Sequence, residues 1–414
     1  MLQTLENKRI LIFLRSFEIG GAERQAVLLA NYLHHTEKAK VAVWAYSPPG
    51  PILDLLDKNI PHKSLRLNME NLKLENKNKR KADFWKLAIK ILRFRPHIIL
   101  PFTVTPNTDC GYVWKMTGAK ACIWNQRDEW LKFLDYPENE IEVKAFKNTP
   151  VFISNSIRGK ELIIEKLKKA VRKVYFIPNT VILNPPQKTR CQWRKELNIP
   201  TKSLVAVMVA NLTENKDHKT LVNAWKIVIE QTKEEEKPVL LLAGRPDSTG
   251  DKLMSLSNEL NIASSIRFLG FTNDIPGILE ASDVAVFCSK SEGSPNGVLE
   301  PMASGLPVIS YRIRGAVDVL GKDCPLFVSP GKEKELAKMI LKVLADQKLR
   351  IKVGQDNYQN VRQNFAPEIT FKKYSELLEE SLAKSRRTLF ETLIELWRFR
   401  KIVRELNKAK ANNN

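Results

Sequence analysis

Residues 291–309, in the second half of the chain, read SEGSPNGVLEPMASGLPVI. Residues 284–288, which come just before it, are short and apolar, which predicts a buried strand. A polar loop follows, and Pro295 suits the first turn of a helix because its missing N–H costs nothing there. The pattern therefore predicts a strand, a loop, a helix from Asn296 to Ala303, and a new strand.

This arrangement places two carboxylates close to a helix start. Glu292 lies on the loop, and Glu300 lies two turns into the helix. The first N–H groups of a helix have no partner within it, so those of Asn296, Gly297 and Val298 are expected to form an anion site. A glycine among them lets a ligand approach the backbone closely.

The same stretch resembles the donor-site motif of glycosyltransferase family four (glycosyl transferases group 1), the retaining enzymes with the GT-B fold. That motif has two glutamates with seven residues between them, as Glu292 and Glu300 do, and a run such as AMASGxPVI after them. The resemblance implies that Glu300 binds the ribose hydroxyls of a nucleotide sugar and that Glu292, as a catalytic residue, binds the donor sugar near its anomeric carbon. The residues that would complete the donor site between them are Asn296, Gly297, Val298 and Leu299.

Two other segments of the second half carry donor-site candidates. Residues 211–218 read NLTENKDH and resemble the family's R-L-x-x-x-K segment, whose two cations bind the diphosphate. Lys216 matches the lysine, whereas Asn211 stands where the arginine is usual. Gly270, at the end of a later strand, is expected on the nucleobase side of the site.

The first half carries two candidate segments. Gly20 and Gly21 open a GGAER run that resembles the family's loop facing the cleft between the domains on the acceptor side, with a simple structural turn as the alternative. Asp128 follows a predicted strand, and the resemblance makes it the candidate to orient or deprotonate the acceptor hydroxyl. Glu129 is an alternative carboxylate, and a helix cap is the alternative role.

Strands alternating with helices along the whole chain predict an α/β protein with parallel, doubly wound sheets, and 414 residues suffice for two domains. The resemblance specifies the GT-B fold, in which two Rossmann-like domains flank a cleft. The predicted divisions are a first domain at 1–184, a donor domain at 185–365, a helix returning to the first domain at 366–387, and a tail at 388–414.

Composition limits the partners. A net charge of +21 predicts an anionic partner, whether nucleic acid, acidic lipid or a phosphorylated substrate.

The five cysteines show no metal-ligand or disulfide spacing, so we expect a reducing compartment, no metal and no cofactor besides the nucleotide-sugar co-substrate. His97 and His218 are expected to be structural or surface residues, and neither a signal peptide nor a membrane span is expected.

The tail from Thr388 to Lys410 has apolar residues at helical spacing, a tryptophan and many basic residues. Such a helix is typical of attachment to an anionic membrane surface, with packing on its own protein or on a partner subunit as the alternative.

Together these features predict a glycosyltransferase that acts at the inner face of the cell membrane. It would move a sugar, with retention, from a nucleotide sugar to a saccharide or a lipid-linked saccharide in bacterial envelope polysaccharide assembly. The alternatives are a GT-B-fold sugar-nucleotide epimerase or phosphorylase and, from the charge alone, a nucleic-acid-binding protein. The last class is disfavoured because recognised nucleic-acid-binding modules and interleaved aromatic residues are missing from the sequence.

Overall fold

The computed structural model describes residues 4–65, 77–127, 131–136, 139–167, 172–385 and 388–411. Its strands are β1 Arg9–Leu14, β2 Lys40–Ala45, β3 His62–Ser64, β4 Ile98–Pro101, β5 Ala121–Gln126, β6 Val151–Ser154, β7 Lys173–Phe176, β8 Val205–Val209, β9 Val239–Ala243, β10 Ile266–Gly270, β11 Val284–Phe287, β12 Val308–Tyr311 and β13 Phe327–Val328. Its α-helices are α1 Gly21–His35, α2 Lys77–Phe94, α3 Val104–Val113, α4 Glu140–Asn148, α5 Ile157–Leu167, α6 Arg190–Glu196, α7 His218–Gln231, α8 Gly250–Glu259, α9 Ile275–Glu280, α10 Asn296–Ala303, α11 Arg314–Leu320, α12 Glu333–Ala345, α13 Gln347–Asn364, α14 Pro367–Lys384 and α15 Leu389–Ala411.

The chain divides into two compact units. The first comprises Met1–Pro178 and Thr370–Asn414, and the second comprises Asn179–Ile369. The first unit holds a parallel sheet in the order β3-β2-β1-β4-β5-β6-β7, and the second a parallel sheet in the order β10-β9-β8-β11-β12-β13. Two doubly wound parallel sheets, each with helices between its strands, confirm the predicted α/β class.

Each sheet has one place where the order in which strands are added reverses, here called the change of direction. In the first unit the order runs outward from β1 to β2 and β3, then resumes on the other side with β4. In the second unit it runs from β8 to β9 and β10, then resumes with β11. The connections on the two sides leave to opposite faces of the sheet, so a crevice opens at the carboxyl ends of the two central strands.

The alternating apolar and polar segments predict the succession of strands and helices, but several elements of the first unit were missed, β3 and α3 among them. Strand β3 has only three residues, too few to show an alternation. Helix α3 contains Pro106 and Gly111, both poor helix formers. Residues 52–56 read as a short helix in the sequence, but the structure forms only a short 3-10 turn there, Pro51–Leu55.

Both ends of the chain contribute to the core of the first unit. The inward side of α14 buries Phe371, Tyr374 and Leu378 in the same apolar cluster as residues of β1, β2 and β4. Helix α15 packs through Phe399, whose ring lies 6.1 Å from that of Trp85 between centroids. The tail is therefore attached in part to its own unit, which is the packing alternative that the sequence left open. The described residues include no helix long and apolar enough to cross a membrane.

Candidate functional site

The loops after β8 and β11 meet at the change of direction in the second sheet. The loop after β8 forms a 3-10 turn, Glu214–Lys216, before α7 begins, and the loop after β11 carries Glu292. The Lys216 ammonium forms an ion pair with Glu292 Oε1, although 76 residues separate them in sequence. Lys216 Nζ also lies 5.5 Å from the centroid of the Phe287 ring, and this cation–π contact stabilises the ammonium group.

Hydrogen bonds also hold the two loops together around this pair. Ser289 Oγ donates to Glu292 Oε1 at 2.8 Å, and Asn215 Nδ2 donates to Ser289 Oγ at 3.1 Å and to the Ser291 carbonyl at 3.0 Å. The backbone N–H of Lys290 donates to the Asn215 carbonyl at 2.8 Å. The Lys216 and Glu292 side chains remain 23% and 22% exposed, so both can be reached from solvent.

Helix α10 positions the second glutamate. Its inner side buries Val298, Leu299 and Met302, and Glu300 is itself only 6% exposed. A carboxylate this well buried offers its oxygens to a few fixed donors rather than to bulk water.

The start of α10 is held by Asn179, a buried residue that the sequence reasoning did not single out. Its backbone N–H donates to Ser294 Oγ at 3.1 Å, and its Nδ2 donates to the Ser294 carbonyl at 2.7 Å and to Asn296 Oδ1 at 2.8 Å. The sequence did contain an indication of this role, because Asn179 directly follows Pro178 at a domain junction, and such a pair favours a fixed turn.

Two expectations about the helix start need correction. The N–H groups of Val298 and Leu299 both donate to the Pro295 carbonyl at 3.1 Å, so neither is free to bind a ligand. The backbone N–H groups that remain without a described partner are those of Asn296 and Gly297. Gly297 also has a packing role, because a Cβ there would lie 2.7 Å from the Val209 carbonyl oxygen of β8. Its lack of a side chain allows the helix to pack closely against that strand.

Asn211 has a structural task besides any contact with donor. Its Oδ1 accepts from the Arg245 N–H at 3.1 Å, which ties the loop after β8 to the loop after β9. The guanidinium of Arg245 is 44% exposed and lies 3.5 Å from Asp247. Arg245 therefore places a positive charge on the loop next to Asn211, the position where the family's motif has an arginine. Gly270 ends β10 with φ +64, and Phe271 beside it is 52% exposed.

In the first unit, the residues at the change of direction surround Gly20 and Gly21, which begin α1. Glu23 folds back over Gly20, and burial raises the pKa of Glu23 above its ordinary value, against the lowering effects of a backbone N–H, Arg15 and Arg127. Arg127 follows β5 and donates to the Tyr374 hydroxyl at 3.0 Å. Sequence reasoning missed Glu23 and Arg127 as site candidates. Asp128 and its alternative Glu129 lie outside the described residues.

The two histidines behave as structural residues. His97 Nδ1 accepts from the Arg9 N–H at 3.0 Å. His218 is 1% exposed, and neither ring nitrogen has a hydrogen-bond partner among the described residues. Burial, with the nearby Lys216 charge, lowers the pKa of His218 to about 4. The part of the chain that the structure describes contains no group of three or more His, Cys, Asp or Glu side chains suited to a metal ion.

The second unit matches a known family. Residues 189–360 fit the family model described as Glycosyl transferases group 1. The match covers less than half of the chain. The matched segment holds every donor-site candidate, and the match confirms the resemblance read from residues 291–309; family four and retention stay predictions.

Relatives of the chain are glycosyltransferases by name. It is 32% identical over 178 residues to the Escherichia coli UDP-Gal:alpha-D-GlcNAc-diphosphoundecaprenol alpha-1,3-galactosyltransferase, covering 42% of this chain and 46% of that protein. It is 28% identical to the lipopolysaccharide core biosynthesis glycosyltransferase LpsE of Rhizobium meliloti, covering 45% of this chain and 52% of LpsE. The chain thus spans about half the length of these curated relatives.

Solved structures share the fold over nearly the whole chain. HepE from Anabaena, in complex with UDP and glucose, superposes with a TM-score of 0.75 at 18% identity and covers 90% of this chain and 100% of HepE. A glycosyltransferase from Rickettsia africae gives a TM-score of 0.73 at 21% identity, covering 92% of this chain and 100% of that one. At these sequence identities the similarity confirms the GT-B fold alone.

Proposed function

We propose that this chain transfers a sugar from a nucleotide-sugar donor to a saccharide or lipid-linked saccharide acceptor, with retention at the anomeric carbon, in bacterial envelope polysaccharide assembly. The observation that carries the proposal is the meeting of Lys216 and Glu292 at the change of direction of the second sheet, with the buried Glu300 on the helix that follows Glu292. This is the crevice where doubly wound sheets bind nucleotides. The relatives named for lipopolysaccharide core biosynthesis and for a diphosphoundecaprenol-linked substrate support the acceptor class.

The geometry suggests how the donor is held. A diphosphate placed over the N–H groups of Asn296 and Gly297 receives their hydrogen bonds and the positive end of the helix dipole. Because the diphosphate carries more negative charge than one carboxylate, it draws Lys216 away from Glu292. Glu292 is then released to accept hydrogen bonds from hydroxyls of the donor sugar, while Glu300 accepts from the ribose hydroxyls.

The leaving group must be stabilised as the glycosidic bond breaks. Lys216 and the two N–H groups supply positive charge fixed in place before the reaction, so the proposal requires no metal ion. On the acceptor side, Asp128 stays the candidate to orient or deprotonate the acceptor hydroxyl. The chain would work at the inner face of the membrane, held there by its basic tail.

A thermal-shift screen against a panel of nucleotide sugars tests the donor assignment. A ligand at 100 times its dissociation constant stabilises the folded state by about 2.7 kcal/mol. We expect one nucleotide sugar to raise the melting temperature of the native chain and to have little effect on Glu300→Ala. If no member of the panel raises the melting temperature, or if the shift is equal in both proteins, the donor assignment is wrong.

A further inference from the structure

A cavity lies in the first unit, at the edge of the sheet away from Gly20 and Gly21. Its floor is formed by the amino ends of β5, β6 and β7, at Ala121, Val151 and Lys173, and its roof by α14 and α15. Its volume is about 960 Å³, within the range of ligand pockets. The candidate site uses carboxyl ends of strands, so this basal cavity is a separate feature.

The lining of the basal cavity is predominantly basic. It contains six cations and three carboxylates, the cations being Lys115, Lys120, Arg172, Lys173, Lys384 and Arg398. The carboxylates are already engaged: Glu380 pairs with Lys173 and Lys384, Glu391 accepts from the Thr388 N–H at 2.9 Å, and Glu395 pairs with Arg398 at 3.4 Å. The Lys120 ammonium makes no ion pair with any described residue. The excess positive charge suits an anion.

Helix α15 also presents apolar side chains to solvent beside this cavity. Phe390, Leu393 and Trp397, here called the outer stripe, are 70%, 54% and 66% exposed. Their spacing of three and four residues places them on one side of the helix, opposite the side that carries Phe399. The exposed Lys401 follows Trp397 by four residues and extends the stripe with a cation.

The stripe and the cavity adjoin each other. Ile394 lines the cavity, and on the helix it lies between Phe390, four residues before it, and Trp397, three residues after it. An apolar stripe with an aromatic ring inserts at the boundary between lipid headgroups and acyl chains, and basic side chains pair with anionic headgroups. Charge and shape therefore fit one occupant, an acidic lipid.

We propose that the basal cavity binds the phosphate headgroup of an acidic phospholipid whose acyl chains lie against the outer stripe. The inference deepens the peripheral membrane location in the proposed function. It assigns that location to a headgroup site rather than to diffuse attraction by the charge of +21.

The test compares full-length variants in binding to vesicles of phosphatidylcholine with and without phosphatidylglycerol. The cavity variant is Lys120→Gln with Arg172→Gln, and the stripe variant is Leu393→Ser with Trp397→Ser. The control is Lys348→Gln with Lys352→Gln, which removes the same charge from exposed positions on α13. We expect the cavity variant to bind phosphatidylglycerol vesicles about thirtyfold more weakly, the stripe variant to lose binding to both kinds of vesicle, and the control to resemble the native chain.

Three outcomes would overturn the proposal. The first is equal weakening by the cavity variant and the control, which would indicate diffuse attraction. The second is tight binding of inorganic phosphate that the cavity variant abolishes without weakening vesicle binding. The third is self-association that the stripe variant removes while native vesicle binding is absent. Should the cavity variant not fold, the exposed Arg398→Gln replaces it. These measurements need no donor, so their failure is distinct from failure of the nucleotide-sugar screen.

Discussion

Replacing Gly315 with alanine should move the loop that carries Glu292. Gly315 lies in the first turn of α11, against the backbone of that loop. An added Cβ would lie 2.2 Å from the Glu292 carbonyl oxygen and 2.3 Å from that of Gly293. The loop or the helix must therefore retreat by about 0.8 Å to reach the 3.0 Å below which such contacts are essentially never found.

A displacement of this size is small for the fold and large for the chemistry. Overpacking typically lowers the free energy of unfolding by about 1–3 kcal/mol. A misplacement of about 1 Å at a reacting group costs on the order of a hundredfold in rate. We expect Gly315→Ala to stay folded, to bind nucleoside diphosphate nearly as well as the native chain, and to turn over about a hundredfold more slowly.

The assay is turnover with the nucleotide sugar found by the thermal-shift screen, measured well below the melting temperature of each variant. Gly354→Ala is the matched control, because its Cβ would meet the Gly305 carbonyl oxygen at 2.1 Å, beyond the far end of α10. The two variants should lose similar stability. If turnover falls no further in Gly315→Ala than in Gly354→Ala, the loop position does not govern catalysis and the reasoning fails.

Glu300→Ala should weaken nucleoside diphosphate binding by about 1.5–3 kcal/mol, because hydrogen bonds from the ribose to a charged carboxylate are lost. Glu300→Gln should lose less affinity. Unchanged affinity in calorimetry would show that Glu300 does not belong to the site. Lys216→Ala should lower turnover and diphosphate affinity while changing the melting temperature little, because partly exposed ion pairs contribute little to stability. A large drop in melting temperature with activity retained would show that Lys216 is structural. His218 stays neutral in the fold while the unfolded state takes up a proton below pH 6.5, so stability should fall as the pH drops from 6.5 to about 4. Denaturant unfolding should show a flatter pH dependence in His218→Leu, and equal slopes in this window would contradict the assigned burial effect.

The placement of Glu292 and Glu300 could be anticipated largely from residues 291–309, because a strand, a loop and a helix in succession fix where their own residues lie. The pairing of Lys216 with Glu292 could not. It depends on β8 and β11 being neighbours, and strand order is a property of the whole sheet that no local pattern carries. Asn179 escaped notice for the same reason, since its partners lie more than a hundred residues away.

The tail shows a different limit of sequence reasoning. Apolar residues recur on more than one side of α15, and spacing alone does not tell which side is buried. The structure buries Phe399 and leaves Phe390 and Trp397 exposed, because the first can reach the ring of Trp85 on α2. The pattern predicted an amphipathic helix, but only the packing partners decide which apolar side remains for another surface.

The shared apolar cluster of α14 with β1, β2 and β4 has a consequence for biosynthesis. A nascent chain emerges from the ribosome with its amino end first, so residues 179–369 are complete while the first unit still lacks Phe371, Tyr374 and Leu378. The unit that is translated first is thus the one whose core is finished last. Until α14 is made, the apolar face of that early sheet remains open to chaperones and proteases, and a chain truncated after residue 369 should show a protease-resistant second unit beside a sensitive first one.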